Sequence, residues 1–178
     1  MHADLQHLLA KDLLTDVTAV PLTDLRDLRV RCSAAEGDIS FVRRLAQGRL
    51  DIVGHEVRRR SGVVDARPDI TGILFDLPEI MSEARSGPSG GRLLAILEPG
   101  VVAQALIDRL DQAASPGELS GLEQLDTDRL ATLLDTLRDF EVSLSATRRR
   151  LHERIDLIQG EIARRYRDGE ASIESLLN

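Results

Sequence analysis

The sequence predicts an all-α protein: a long antiparallel two-helix coiled coil, folded back as a helical hairpin, with a short extra helix in the connection. Three observations carry that expectation. Two windows, about 22–60 and 127–167, lack proline and repeat apolar residues at steps of three and four, the spacing of a packed helix seam. Aromatic residues make up only 2 % of the 178, with no Trp, one Tyr and three Phe. Thin Leu/Ile/Val/Ala seams suit such a chain better than a globular α/β core, which would hold more large rings. The two windows also carry the same polar residues at the same spacing, which makes them copies of one element.

Residues 1–20 read as an N-terminal arm: Leu5, Leu8, Leu9, Leu13 and Leu14 give mild helical character, compatible with an arm, a short helix or a disordered tail. Residues 21–61 hold the first motif-bearing long helix. Pro21 stands at its threshold, where a missing N–H costs little. Its seam runs Leu25, Leu28, Cys32, Ala35, Ile39, Val42, Ala46, Leu50, Val53, Val57. Gly37, Gly48 and Gly54 each weaken intrinsic helicity by about 1 kcal/mol, so packing has to sustain this helix. Ser61-Gly62 supplies the stop.

Residues 62–125 form the connection. Pro68 lies in Asp65–Asp69, and Ser86-Gly87-Pro88-Ser89-Gly90-Gly91 is a flexible break. Ile70–Met81 is apolar but interrupted by Gly72 and Pro78, and Leu93–Leu97 reads as a short strand or a helix. Val101–Ala114 is a short amphipathic helix through Val102, Ala105, Leu106, Ile107 and Leu110, and Ser115-Pro116-Gly117-Glu118 is a capping-box pattern that starts another turn. Residues 126–169 hold the second motif-bearing long helix, with Gly169 just past its end. Its seam is Leu130, Leu133, Leu137, Phe140, Leu144, Thr147, Leu151, Ile155, Ile158, Ile162. Residues 170–178 are a tail.

Glu36, Ser40, Arg43, Gln47 and Asp51 in the first helix recur 105 residues later as Glu141, Ser145, Arg148, His152 and Asp156. Both follow E-x-x-x-S-x-x-R-x-x-x-Q-x-x-x-D, with His152 in place of Gln. Alignment of residues 25–60 with 130–165 also matches Leu25/Leu130, Arg44/Arg149, Arg49/Arg154, Glu56/Glu161 and Arg59-Arg60/Arg164-Arg165. At about 100° per residue each set of five falls in a sector of roughly 80°, over about 22 Å of helix, so each forms one stripe. The same arithmetic centres the seam roughly 85° from the stripe, so the stripe flanks the core. In a parallel pair equivalent flanks lie on opposite sides. Only an antiparallel hairpin brings both stripes to one side, and the motifs sit at comparable distances from the turn.

A net charge of −7 argues against a generic nucleic-acid binder and against direct DNA binding. The single Cys32 cannot form an internal disulfide, which fits a reducing cytosol. No basic n-region precedes an apolar run and no stretch approaches 18 apolar residues, so a soluble cytoplasmic protein without a membrane partner is expected. His2, His7 and His55 show no metal-ligand spacing, and neither a nucleophile elbow nor a phosphate-binding glycine loop occurs, so no metal and no catalysis are expected.

A stripe with carboxylates at both ends, Arg in the middle and hydrogen-bonding groups between suits a flat anionic ligand with donor edges, such as a guanine nucleotide. One such stripe is the ordinary solvated, salt-bridged flank of a helix. Recurrence at identical spacing beside a matched seam is what favours a ligand site.

The repeated pattern, with Ser40-Phe41-Val42-Arg43-Arg44-Leu45-Ala46-Gln47-Gly48-Arg49-Leu50-Asp51 around its first copy, resembles the cyclic di-GMP signature of the RsiG anti-sigma factors of sporulating actinobacteria. The resemblance covers the two long helices, roughly half of the chain. It implies a coiled coil that binds a cyclic di-GMP dimer between its motif helices and then holds a WhiG-type sporulation sigma factor inactive.

On that footing Arg43 and Arg148 are expected to engage guanine O6/N7 or phosphate, or to stack on a purine. Glu36, Glu141, Asp51 and Asp156 supply acceptors for guanine N1–H and N2–H₂. Ser40, Ser145, Gln47 and His152 serve phosphate or ribose oxygens, with the His152 contact dependent on protonation. Arg44, Arg49, Arg149 and Arg154 are secondary candidates that add positive field. The alternative is a structural coiled coil whose polar flanks only set helix pairing. A hydrolase or cyclase acting on the nucleotide lacks any metal or acid–base constellation.

Overall fold

The computed structural model describes residues 3–10, 13, 16–62 and 100–169. Its elements are α1 (Ala3–Leu8), a 3-10 turn (Val17–Ala19), α2 (Leu22–Arg60), α3 (Val101–Ala113), α4 (Pro116–Ser120), a second 3-10 turn (Leu122–Gln124) and α5 (Thr127–Arg167). No strand occurs among the described residues. The readings of Pro68, Ile70–Met81, the Ser86–Gly91 break and Leu93–Leu97 lie outside them, as does the 170–178 tail.

The boundaries follow from local chemistry. Pro21 precedes α2 in extended backbone, and the chain leaves α2 through Gly62 at φ 70°. The Asp126 side chain accepts the Arg129 N–H at the start of α5, and Gly169 at φ 74° follows its end. Both glycines take the left-handed conformation that a side chain would oppose. Ser115 caps α4 by accepting the Glu118 N–H, as its capping-box pattern anticipates.

α2 and α5, 39 and 41 residues long, run antiparallel as a helical hairpin. Arg26 meets Tyr166 at one end, Glu36 meets Arg148 near the middle, and Arg60 reaches Leu125 at the other end. The seam is the one the periodicity gives: Leu25, Cys32, Ile39, Val42, Ala46 and Val53 face Leu130, Leu133, Leu137, Leu151 and Ile158, all essentially inaccessible. Cys32 is a free thiol inside this seam, and burial pushes its pKa up, which keeps it protonated and inert.

The two short helices pack along one flank of the hairpin, here called the back. Leu5, Leu8 and Leu9 of the α1 region, and Val102, Ala103, Leu106, Leu110 and Ala114 of the α3 region, are buried. α3 is gripped at both ends by α2. The Asp38 carboxylate accepts the Ala103 N–H at 3.1 Å, and Arg49 donates to the Leu110 and Ala114 carbonyls at 3.1 and 2.6 Å. A negative group at the N-terminus and a positive one at the C-terminus each complement the helix dipole. Gly100 fits against Asp38 because a Cβ there would run into the carboxylate.

The duplication extends past the long helices. The 3-10 turn Val17–Ala19 precedes α2 as Leu122–Gln124 precedes α5, at the same 105-residue offset. Each turn is held by the end of the opposite long helix. Arg60 donates to the Leu122, Glu123 and Leu125 carbonyls, and Arg165 donates to those of Val17 and Thr18. Glu56 orients Arg60 and Arg59, and Glu161 orients Arg165 and Arg164, through hydrogen bonds of 2.7–2.9 Å. These guanidiniums hold the Glu56 carboxyl at about 2 against the opposing effect of burial, and the Glu161 carboxyl likewise at about 2.

Candidate functional site

The other flank of the hairpin, the front, carries the two polar stripes, and they interlock. Glu36 Oε1 accepts from Ser40 Oγ at 2.7 Å on its own helix and from Arg148 Nε at 2.7 Å across the hairpin, with His152 Nε2 at 3.2 Å. Glu141 Oε1 accepts from Ser145 Oγ at 2.9 Å on its own helix and from Arg43 Nη1 and Gln47 Nε2 across the hairpin, both at 3.4 Å. The same four roles are therefore filled twice, related by a pseudo-twofold axis between the helices. His152 occupies the place that Gln47 holds in the other half.

The halves are not equally tight. Every contact to Glu36 is shorter than its mate at Glu141. Burial pushes the Glu36 carboxyl up, but hydrogen bonds from Arg148 and Ser40 and the nearby Arg148 and His152 charges outweigh it, and the net pKa lies below the usual value. Both glutamates keep about a fifth of their side-chain surface exposed, at 19 % each. These pairs lie at the wetted edge of the seam, where a cross-helix ion pair is worth about 0–1 kcal/mol. They can be exchanged at small cost.

Arg43 Nε is buried and finds no acceptor. Arg154 Nη1 on the back is likewise buried without an acceptor, so what sets Arg43 apart is its loose 3.4 Å contact with a carboxylate, which a ligand oxygen can replace. Asp51 and Asp156 close the two stripes at opposite ends of the site. Both are exposed, and neither makes an ion pair or side-chain hydrogen bond among the described residues. They are free acceptors on the same stripes as Arg43 and Arg148, about two helical turns away.

Of the secondary candidates, Arg44 and Arg149 are exposed at the outer edge of the stripes. Arg49 and Arg154 face the other way. By the 100° helical step they sit roughly 220° from Glu36 and Glu141 respectively. Arg49 grips the end of α3, and Arg154 donates to the Ala10 carbonyl past α1 at 2.6 Å, beside an Arg150 bond to the Leu9 carbonyl at 3.0 Å. Their duplication reflects the back face rather than the stripe. Asp38 and the Glu56/Glu161 clusters, outside the candidate residues of the sequence, also organise the fold. The i, i+3, i+4 spacing of Glu56-Arg59-Arg60 was the signal that could have found them.

Among the described residues no group of three or more His, Cys, Asp or Glu is placed to hold a metal ion. No described helix is long and apolar enough to cross a membrane.

A family model described as RsiG-like matches residues 11–80 and 116–178, a span that takes in both long helices and both stripes. No relative among curated proteins matches the chain.

Proposed function

The chain belongs to the RsiG-like family of anti-sigma factors, and from that premise we propose that it binds a cyclic di-GMP dimer along its front and in that state sequesters a WhiG-type sporulation sigma factor. The observation that carries this reading is the closure of the two stripes into one pseudo-twofold cluster, with Glu36 against Arg148 and Glu141 against Arg43. A twofold ligand meets a twofold site.

The chemistry is an exchange of partners. Phosphate oxygens or guanine O6/N7 take the guanidiniums of Arg43 and Arg148, which leaves Glu36 and Glu141 free to accept from guanine N1–H and N2–H₂. Asp51 and Asp156 are already available for the same donor edges. Because the broken pairs are worth only about 0–1 kcal/mol each, opening the site costs little against the charge-assisted bonds that replace them. Adenine presents a different edge to the carboxylates, so the acidic residues set base choice. Ser40, Ser145, Gln47 and His152, released from the glutamates, turn to phosphate and ribose oxygens.

A second reading has one observation in its favour: the interlocked pairs would also serve a scaffold whose flank only fixes helix register. It gives no role to the exposed carboxylates of Asp51 and Asp156. Calorimetric titration of cyclic di-GMP into the chain, alone and with the sigma factor, separates the two, with cyclic di-AMP as control. Saturable, guanine-selective uptake is expected. Flat heats under both conditions would leave only the scaffold.

A further inference from the structure

The pseudo-twofold symmetry is broken a second time at the ends of the hairpin, and there the break leaves a pocket. At the end of the hairpin where α2 begins and α5 ends, the Arg26 guanidinium lies 5.8 Å over the Tyr166 ring and donates to its hydroxyl. The 105-residue offset maps Arg26 onto Ala131 and Tyr166 onto Ser61. Two small residues thus stand where the other end has a guanidinium–tyrosine pair. Between them opens a cavity of about 320 Å³ with Val57, Leu130 and Leu134 among its lining and Arg138 at its rim. Leu134 and Arg138 point along the same flank as Glu141, roughly 20° and 60° from it by the helical step, so the cavity continues the front surface beyond Asp51.

We propose that this pocket receives an aromatic side chain of the sigma factor, which takes in trans the place that Tyr166 fills in cis at the other end; the proposal rests on the anti-sigma reading above. The template is internal to the molecule: 105 residues on from Ser61, the C-cap of α2, the last turn of α5 carries a half-buried ring. The electrostatics agree. The Arg138 side chain is 60 % exposed, paired among the described residues with an exposed Asp135, and can reach an incoming ring or its hydroxyl as Arg26 reaches that of Tyr166. An apolar floor with the Arg138–Asp135 pair at its rim is the kind of pocket in which a single aromatic residue contributes much of an interface's affinity.

The test rebuilds the missing pair. Ser61→Tyr with Ala131→Arg places the chain's own ring and guanidinium in the pocket, and its binding to a purified WhiG-type sigma factor is measured in saturating cyclic di-GMP beside the unaltered chain. Helix content and melting temperature at or above those of the unaltered chain show that the variant folds. Affinity for the sigma factor is expected to fall at least tenfold, on the order of one interface hot spot. Arg138→Ala, which leaves the pocket open, is expected to weaken binding about threefold. An unaltered chain that binds with a double variant that binds equally well overturns the pocket while the anti-sigma reading stands. An unaltered chain that binds no sigma factor overturns both. If the double variant instead loses cyclic di-GMP or changes the mass of the free chain, the occupant is a purine or a second copy, and the proposal fails.

Discussion

On the back of the hairpin, Arg49 and Arg154 end on backbone carbonyls of the short helical segments, and Arg60 and Arg165 end on those of the 3-10 turns. On the front, Arg43 and Arg148, drawn from the same two duplicated stretches, end on carboxylates of the opposite long helix. These carbonyls close the ends of short segments that pack on the hairpin, where few backbone donors reach them, so a back-face arginine is fixed by the fold. A front-face arginine holds a group that can also turn to solvent or to a ligand. One duplication event thus supplied structural clamps and exchangeable contacts, and helical phase alone decides which is which.

Single substitutions can break that contrast. Arg148→Ala is expected to cost the largest factor in ligand affinity, on the order of tenfold to a hundredfold by loss of a charge-assisted partner, while shifting the unfolding free energy by less than about 1 kcal/mol. Titration calorimetry beside urea denaturation reads both. Arg154→Ala is expected to reverse the pattern: about 1–3 kcal/mol of stability lost with the α1 region set free, and nucleotide affinity kept within about twofold. Equal effects on affinity from these two variants would erase the distinction between the faces.

Acid sharpens the same contrast. Glu56 and Glu161 are held at about 2, below the ordinary glutamate value of 4.5. A depressed folded pKa contributes stability that is present above 4.5 and disappears as pH falls toward 2. Melting temperature followed across that window should decline as the 3-10 turns are released, and Glu56→Gln should flatten the decline. The smallest effect belongs to Gly100→Ala, where the new Cβ meets the Asp38 carboxylate and the α3 N-terminus must shift. About 1 kcal/mol is expected, read by chemical denaturation, with nucleotide affinity unchanged.

Much of this was legible in the sequence, because a seam of Leu, Ile, Val and Ala at three-four steps leaves a long helix few alternatives. The stripe was legible for the same reason, since spacing fixes phase. Arg49 and Arg154 share the stripe's charge but not its phase: the step from Arg43 to Arg49 already turns the side chain to the back. The docking of α1 was not legible. Its six residues bury Leu5 and Leu8 only because a groove between two distant segments receives them. Arg26 and Tyr166 escaped because a search for repeats finds matched residues, and their mates are Ala131 and Ser61.

Which arginines meet the nucleotide separates a ligand site from a scaffold, and side-chain Nε–Hε NMR of the chain, with the sigma factor added if required, reports that residue by residue. On titration with cyclic di-GMP the Arg43 and Arg148 resonances are expected to move to saturation while those of Arg49 and Arg154 stay in place. Resonances of Arg43 and Arg148 that do not respond at saturating nucleotide would contradict it.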